Sequence, residues 1–260
     1  MEMPLVLRQI NGQTAIITLN RPNQLNALSV SLLKELQTVF DELRLQDVRS
    51  VILTGSGEKA FAAGADIAEM KDLDPLGARS YSEFGNAVFR QIEQFPVPVI
   101  AAVNGYALGG GFELALACDV IIVAENAAFS FPEVSLGITP GFGGTQRLAR
   151  LIGLGRAKDL LYTARRISAQ EALQLGIAIR VLEKSGFMDQ VLAYAESINK
   201  HAPIAVAAVK RAVNSGSMSD LDAGLAIEAE AFASCFSSED QKVAMAAFVA
   251  KQKPGPFQNR

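Results

Sequence analysis

VPVIAAVNGYALGGGFELALACDVIIV, residues 97–123, holds a strand, a glycine turn, a helix and a second strand in one apolar stretch. Val97–Val103 and Val120–Val123 are near-continuous apolar runs, the pattern of strands covered on both faces in a layered α/β core. Gly109–Ala117 between them reads as a helix. The three glycines at its start leave backbone N–H groups unpaired within that helix and facing the strand's carboxyl end, which makes the turn a site for an anion or oxyanion. The charge-free run Phe95–Phe112 is 18 residues, long enough to suggest a membrane helix. Pro96, Pro98, Asn104 and the glycines at 105, 109, 110 and 111 divide it into strand, turn and helix instead, so no membrane association is expected.

The same alternation extends outward. Upstream, Thr14–Leu19 and Ser50–Leu53 are short β-branched strands bounded by Asn, Gly or Pro. Between them Ser29–Leu45 places Leu32, Leu33, Leu36, Val39, Phe40 and Leu43 at helical spacing behind a Ser29 N-cap. Downstream of Phe131 the chain turns helical, over 143–152, 156–164, 168–175, 188–199, 204–213, 221–236 and 239–252, with one more strand at Ile177–Leu182. Ser168 with Glu171 has the form of a capping box, and Ser238 with Gln241 a weaker one. The expected fold class is α/β, with an Ala-rich helical C-terminal region packed on an α/β body. Small-residue helices suit close packing, within one subunit or between subunits.

Composition excludes several kinds of function. The 260 residues carry 24 Lys+Arg against 27 Asp+Glu, a net charge of −3, with no basic stripe for a nucleic-acid backbone. His201 is the single histidine, at a break between helices, and Cys118 and Cys235 are the two cysteines. That set removes most metal sites and rules out Ser-His-Asp and Cys-His catalysis. Two cysteines in apolar sequence without a CxxC suit a reduced compartment. The N-terminus, Met1-Glu2-Met3-Pro4-Leu5, lacks a basic region and a long apolar run, so it is not read as a signal peptide. The cytoplasm is expected, or a mitochondrial matrix if a transit peptide has been removed. No GxxxxGK[ST] occurs. Gly109-x-Gly111 continues to Leu114 where a dinucleotide fingerprint needs glycine.

Two carboxylates stand out. Glu113 lies in the glycine turn between Phe112 and Leu114, and Glu133 follows Phe129-Ser130-Phe131-Pro132 ahead of Gly137, Gly141, Gly143 and Gly144. Buried carboxylates are costly without a purpose or a partner. They read either as an acid/base pair raised toward neutrality by desolvation, or as one helix-capping and one salt-bridged glutamate. Ala60–Ile67 (AFAAGADI) is, taken alone, a tight loop before a helix.

The strings KAFAAGADIAEM (59–70), PVIAAVNGYALGGGFELALACD (98–119) and FPEVSLGITPGFGGTQRL (131–148) closely resemble the crotonase family, the enoyl-CoA hydratase/isomerase superfamily. The likeness continues through RPNQLNAL (21–28), RISAQEALQLGI (166–177) and SSEDQKVAMAAFVAKQKP (237–254) and covers nearly the whole chain. It implies a spiral of β-β-α repeats, with residues 1–195 as catalytic core. Residues 196–260 would be a helical trimerisation region that also covers the acyl-CoA site. The implied partners are an acyl-CoA thioester substrate and further copies of the chain, as homotrimer or homohexamer. No cofactor and no metal are implied.

Matched residue by residue, the family's oxyanion hole falls on the backbone N–H groups of Ala65 and Gly110, and its two catalytic glutamates on Glu113 and Glu133. The resemblance places the coenzyme A end along Gln24, Leu25, Ala27, Ala65, Asp66, Ile67, Ala68 and Gly110, with Phe232 and Lys251 from the C-terminal helices. Ala68 stands where many relatives carry a longer side chain. Phe112 and the Lys71–Tyr81 segment are candidates for the acyl pocket. The implied activity is syn addition of water to a trans-2-enoyl-CoA, giving a 3-hydroxyacyl-CoA. Its alternatives are a same-fold isomerase or hydrolase, or a non-catalytic acyl-CoA or RNA-binding relative; relatives that only shift double bonds often lack one glutamate.

Overall fold

The computed structural model describes residues 3–260. The chain runs β1 (Val6–Asn11), β2 (Thr14–Leu19), α1 (Val30–Leu43), β3 (Ser50–Gly55), β4 (Ala60–Ala62), the single turn α2 (Ile67–Met70) and α3 (Pro75–Glu93). It continues through β5 (Val99–Val103), β6 (Tyr106–Leu108), α4 (Gly110–Leu116), β7 (Val120–Ala124), β8 (Ala128–Ser130), α5 (Gly144–Ile152) and α6 (Leu154–Thr163). β9 (Ile167–Ser168), α7 (Ala169–Gln174), β10 (Arg180–Leu182), α8 (Phe187–Asn199), α9 (Pro203–Gly216), α10 (Leu221–Cys235) and α11 (Glu239–Val249) complete it.

Successive strands alternate between two sheets. β3, β5 and β7 join the larger sheet, of order β1-β2-β3-β5-β7-β10, while β4, β6 and β8 join the smaller, of order β4-β6-β8-β9. Each strand-strand-helix unit therefore advances one turn of a spiral, as in the crotonase fold. Neighbours from β2 to β10 in the larger sheet are parallel, and β1 pairs antiparallel to β2. The apolar runs of β3, β5 and β7 have no polar face because both faces are covered. Val51, Leu53, Val99, Ala101, Val103, Ile121 and Val123 enter the main core. Their sequence neighbours Ile52, Ile100, Ala102, Ile122 and Ala124 pack on Phe187, Val191 and Ala195 of α8.

The expected elements appear, with short additions. Ser29 caps α1 by accepting from Leu32 N, and Ser168 and Ser238 cap α7 and α11. Neither capping box closes reciprocally: Glu171 turns to Arg165 and Gln241 to Met245. The strand expected over 177–182 is shorter, Arg180–Leu182. The 19-residue α3 was not apparent from the sequence, although Asp74 caps it and Pro75 occupies its first turn. α9 and α10 pack together, and this region leaves Val209, Val213, Phe232, Phe236 and Phe248 exposed. Among the described residues no helix is long and apolar enough to cross a membrane.

Candidate active site

The parallel sheets bring four separate turns to one place. Leu28 donates to Gly64 O and accepts from Asp66 N (2.8 and 3.1 Å), holding Gly64-Ala65-Asp66 as a short bridge to the turn after β2. That pairing uses the Gly64 carbonyl and the Asp66 N–H, on either side of Ala65, and leaves Ala65 N pointing away from Leu28. Gly110 is the first residue of α4, so its N–H has no acceptor within the helix. Among the described residues neither N–H meets an acceptor. The two are adjacent: a Cβ on Gly110 would lie 3.2 Å from Ala65 N. A side chain there would fill the space both donors face.

Asn26 organises the first of these turns and escaped the sequence reading. It is fully buried in a left-handed conformation (φ 57°). Its Oδ1 accepts from Arg21 N and Ser56 Oγ, and its Nδ2 donates to Ser56 O and Ala60 O. Arg21 in turn donates to Ala27 O and pairs with Asp66 (3.1 Å), whose other oxygen caps α2 at Ala68 N. Gln24, Leu25, Ala27, Asp66, Ile67 and Ala68 are thus gathered beside Ala65, with Gln24, Leu25, Ile67 and Ala68 exposed. A buried Asn inside a polar RPNQLN string was the available signal.

Glu113 sits in the first turn of α4 and is 1% exposed. Its Oε1 does not cap its own helix. It accepts from Phe142 N (2.8 Å) and Gly144 N (2.7 Å), on the loop entering α5. Burial pushes its carboxyl upward against those two hydrogen bonds and the Arg147 guanidinium, and burial prevails. Glu133 opens a short 3-10 turn, Glu133–Leu136, and is 8% exposed. Among the described residues its Oε2 is buried without a hydrogen-bond partner and no cation pairs with it. Burial pushes the Glu133 carboxyl up to about 7; one backbone hydrogen bond opposes this and the nearby Glu113 charge reinforces it. Among the described residues neither glutamate forms a salt bridge, and the capping reading survives in altered form: Glu113 accepts from Gly144 N, the first residue of α5, and not from its own helix.

Gly109 explains how the second carboxyl comes so near. Its φ of 48° suits glycine, and a Cβ there would lie 2.5 Å from Glu133 Oε1. Behind the donors, the Phe142 ring lies 5.3 Å from Tyr81 and 5.4 Å from Phe89, both on α3. Tyr81 hydroxyl is buried and unpartnered. Phe112 instead stacks on Phe131 inside the core, 1% exposed. Phe232 and Lys251 are not brought to this site within the chain. Phe232, 65% exposed on α10, faces a groove between α9, α10 and α11, and Lys251 lies beyond the end of α11. Among the described residues no group of three His, Cys, Asp or Glu is placed to hold a metal ion.

Two acidic side chains kept from water lie beside two convergent backbone donors, an arrangement chemically able to stabilise negative charge on a carbonyl oxygen. The chain belongs to the enoyl-CoA hydratase/isomerase family, whose model matches residues 9–260. It is 51% identical to the short-chain-enoyl-CoA hydratase of Clostridium acetobutylicum, over 100% of both chains. It is 48% identical to the crotonyl-CoA hydratase of Syntrophomonas wolfei, over 95% of this chain and 96% of the relative. The crystal structure of an enoyl-CoA hydratase from Bacillus anthracis superposes with a TM-score of 0.94 at 42% identity, over 99% of this chain and 100% of that one.

Proposed function

We infer that this chain is an enoyl-CoA hydratase, adding water across the double bond of a short trans-2-enoyl-CoA. The observation that carries the reading is the pair of buried glutamates, neither matched to a cation, beside the Ala65 and Gly110 N–H groups. A thioester oxygen placed between those donors gains negative charge as the enolate develops, and preorganised N–H groups stabilise it where water is excluded.

The two carboxyls are inequivalent, which supports different roles for them. Glu113 has one oxygen held by two backbone donors, which favour its ionised form against the burial that raises it, and we assign it as the base. Glu133, raised to about 7 and without a donor on Oε2, exchanges its proton near neutral pH and is assigned as the acid. Glu113 takes a proton from water as the water oxygen bonds to Cβ, and the double-bond electrons move to the thioester oxygen. The enolate collapses as Glu133 delivers its proton to Cα. Glu113 is left protonated and Glu133 ionised, and proton exchange through solvent resets the pair. No metal, nucleotide or other cofactor enters.

The substrate's coenzyme A end is assigned to the Gln24–Ala27 and Ala65–Ala68 segments. The exposed apolar surface of α9–α11 supports an assembly, as trimer or hexamer, in which residues 196–260 form the contact and residues 1–195 the catalytic core. In such an assembly Phe232 and Lys251 meet coenzyme A at a subunit boundary. A cytoplasmic location accords with the low cysteine content and the bacterial relatives.

The test is loss of the conjugated-thioester absorbance of crotonyl-CoA and of a longer 2-enoyl-CoA, with product identification. Glu113→Gln and Glu133→Gln should each lower kcat by about 10² or more, and the double variant by less than the product of the two. KM should change far less, since the backbone donors remain. Near wild-type hydration in Glu113→Gln with none in Glu133→Gln would favour a single-glutamate mechanism, as in an isomerase-type relative, with Glu113 structural.

A further inference from the structure

The loop that supplies donors to Glu113 is itself gripped from α3. Gly141 O accepts from Ser82 Oγ and from Asn86 Nδ2 (2.8 Å), residues one helical turn apart on the same face. Gly141 C=O and Phe142 N–H are opposite ends of one peptide group, and that N–H is one of the two donors to Glu113 Oε1. The second donor, Gly144 N–H, belongs to a peptide whose carbonyl, Gly143 O, accepts from Gln146 N and Arg147 N in the first turn of α5. One peptide is held by backbone, the other by two side chains. Nearby, Arg147 donates to Phe142 O (2.9 Å) and pairs with Glu93 of α3.

We propose that Ser82 and Asn86 are positioning residues for Glu113, acting through the Gly141–Phe142 peptide. The inference rests on the hydratase reading only for its kinetic arm. The two side chains do two things. They fix the plane of the peptide, so that its N–H points at Oε1 from a loop with glycines at 141, 143 and 144 that would otherwise rotate freely. They also place two donors on the carbonyl, and hydrogen bonds in series polarise one another, making the N–H at the far end a stronger donor. Removing either grip weakens a hydrogen bond to the carboxylate form, which raises the pH at which Glu113 ionises. The other charges facing Glu113 are Arg147 from α5 and Glu133 from its 3-10 turn; the Ser82 variants alter neither, whereas Asn86→Asp adds a charge of its own beside Arg147, so the sign of the shift is read from Ser82→Ala.

The experiment uses the full chain with Ser82→Ala, Ser82→Thr and Asn86→Asp, the last an isostere that when ionised has no donor for Gly141 O. Hydration of crotonyl-CoA is followed from pH 5 to 9. In parallel the Glu113 carboxyl is titrated by 13C NMR, assigned by its absence in Glu113→Gln. Expected are a loss of kcat of about threefold or more below neutral pH that shrinks as pH rises, with KM within about twofold. The Glu113 titration should move up by about half a pH unit or more, with Ser82→Thr close to wild type. Arg8→Ala, which breaks a surface pair with Glu42 away from the site, should change nothing. An unmoved Glu113 titration in Ser82→Ala and Asn86→Asp overturns the proposal, and so does a kcat loss of equal size at every pH. If Asn86→Asp does not fold, the Ser82→Ala and Ser82→Thr pair decides. A wild-type chain inactive on 2-enoyl-CoA thioesters overturns the hydratase reading instead, and the carboxyl titration still decides this one.

Discussion

Glu133→Gln should abolish most activity and yet stabilise the protein, by an amount that depends on pH. Burial, opposed by one backbone hydrogen bond and reinforced by Glu113, moves the carboxyl from an ordinary 4.5 up to about 7. A carboxyl raised on folding binds its proton more tightly in the folded state. Its favourable contribution is complete below the unfolded value and is lost as pH rises through the folded one. From 4.5 to about 7, at about 1.4 kcal/mol per pH unit, the loss is about 3 kcal/mol. Glutamine resembles the protonated acid in shape and does not titrate. Relative to wild type, Glu133→Gln should therefore be about equal in stability at pH 4.5 and more stable by up to about 3 kcal/mol at pH 8. Urea unfolding at the two pH values, at one matched protein concentration because assembly contributes to stability, measures the difference. A stability gap of the same size at both pH values would refute the argument, since it would mean that the Glu133 carboxyl is no harder to ionise folded than unfolded.

Three further outcomes follow from the site. Gly110→Ala puts a Cβ 3.2 Å from Ala65 N and 3.3 Å from the Phe142 ring, in the space the thioester oxygen needs; kcat/KM should fall about 10²–10³-fold, and an unchanged value would remove this donor pair from the mechanism. Asn26→Ala leaves Ser56 O, Ala60 O and Arg21 N without their partner; a loss of about 2–3 kcal/mol in urea unfolding is expected, and a loss below 1 would show that water replaces the side chain. Prolonged dialysis against a chelator should leave hydration unchanged, and a loss restored by one particular divalent ion would contradict the two-glutamate mechanism.

Much of this architecture was legible in the sequence, for local reasons. Buried parallel strands must be apolar throughout, so Val99–Val103 and Val120–Ala124 declare themselves. Helix α1 shows its stripe and its serine cap. Helix α3 hid because glycines at 77 and 85 interrupt its periodicity, and the reason for the second lies outside the helix: a Cβ at Gly85 would collide with the Phe142 ring. Strands β4, β6 and β8 have three residues each, too few for a period to register. Glu113 and Glu133 could be singled out as carboxylates in apolar, glycine-rich turns, but their partners could not be read there.

The sequence by itself determined the alternation of apolar strands and amphipathic helices and, with a single histidine and two cysteines, the scarcity of histidine and thiol chemistry; its resemblance to a family added the β-β-α spiral and the four positions at the centre of the site. Only the tertiary structure decided what those positions do to one another. Ala65 and Gly110 become neighbours, Glu113 finds its donors 29 and 31 residues away at Phe142 and Gly144, and Glu133 is left without a donor on Oε2. It also set Phe232 and Lys251 apart from the glutamates within a single chain. The physical reason is that propensity and periodicity are properties of adjacent residues, whereas a hydrogen bond's direction and a carboxyl's desolvation depend on which distant loops the stacked sheets bring together.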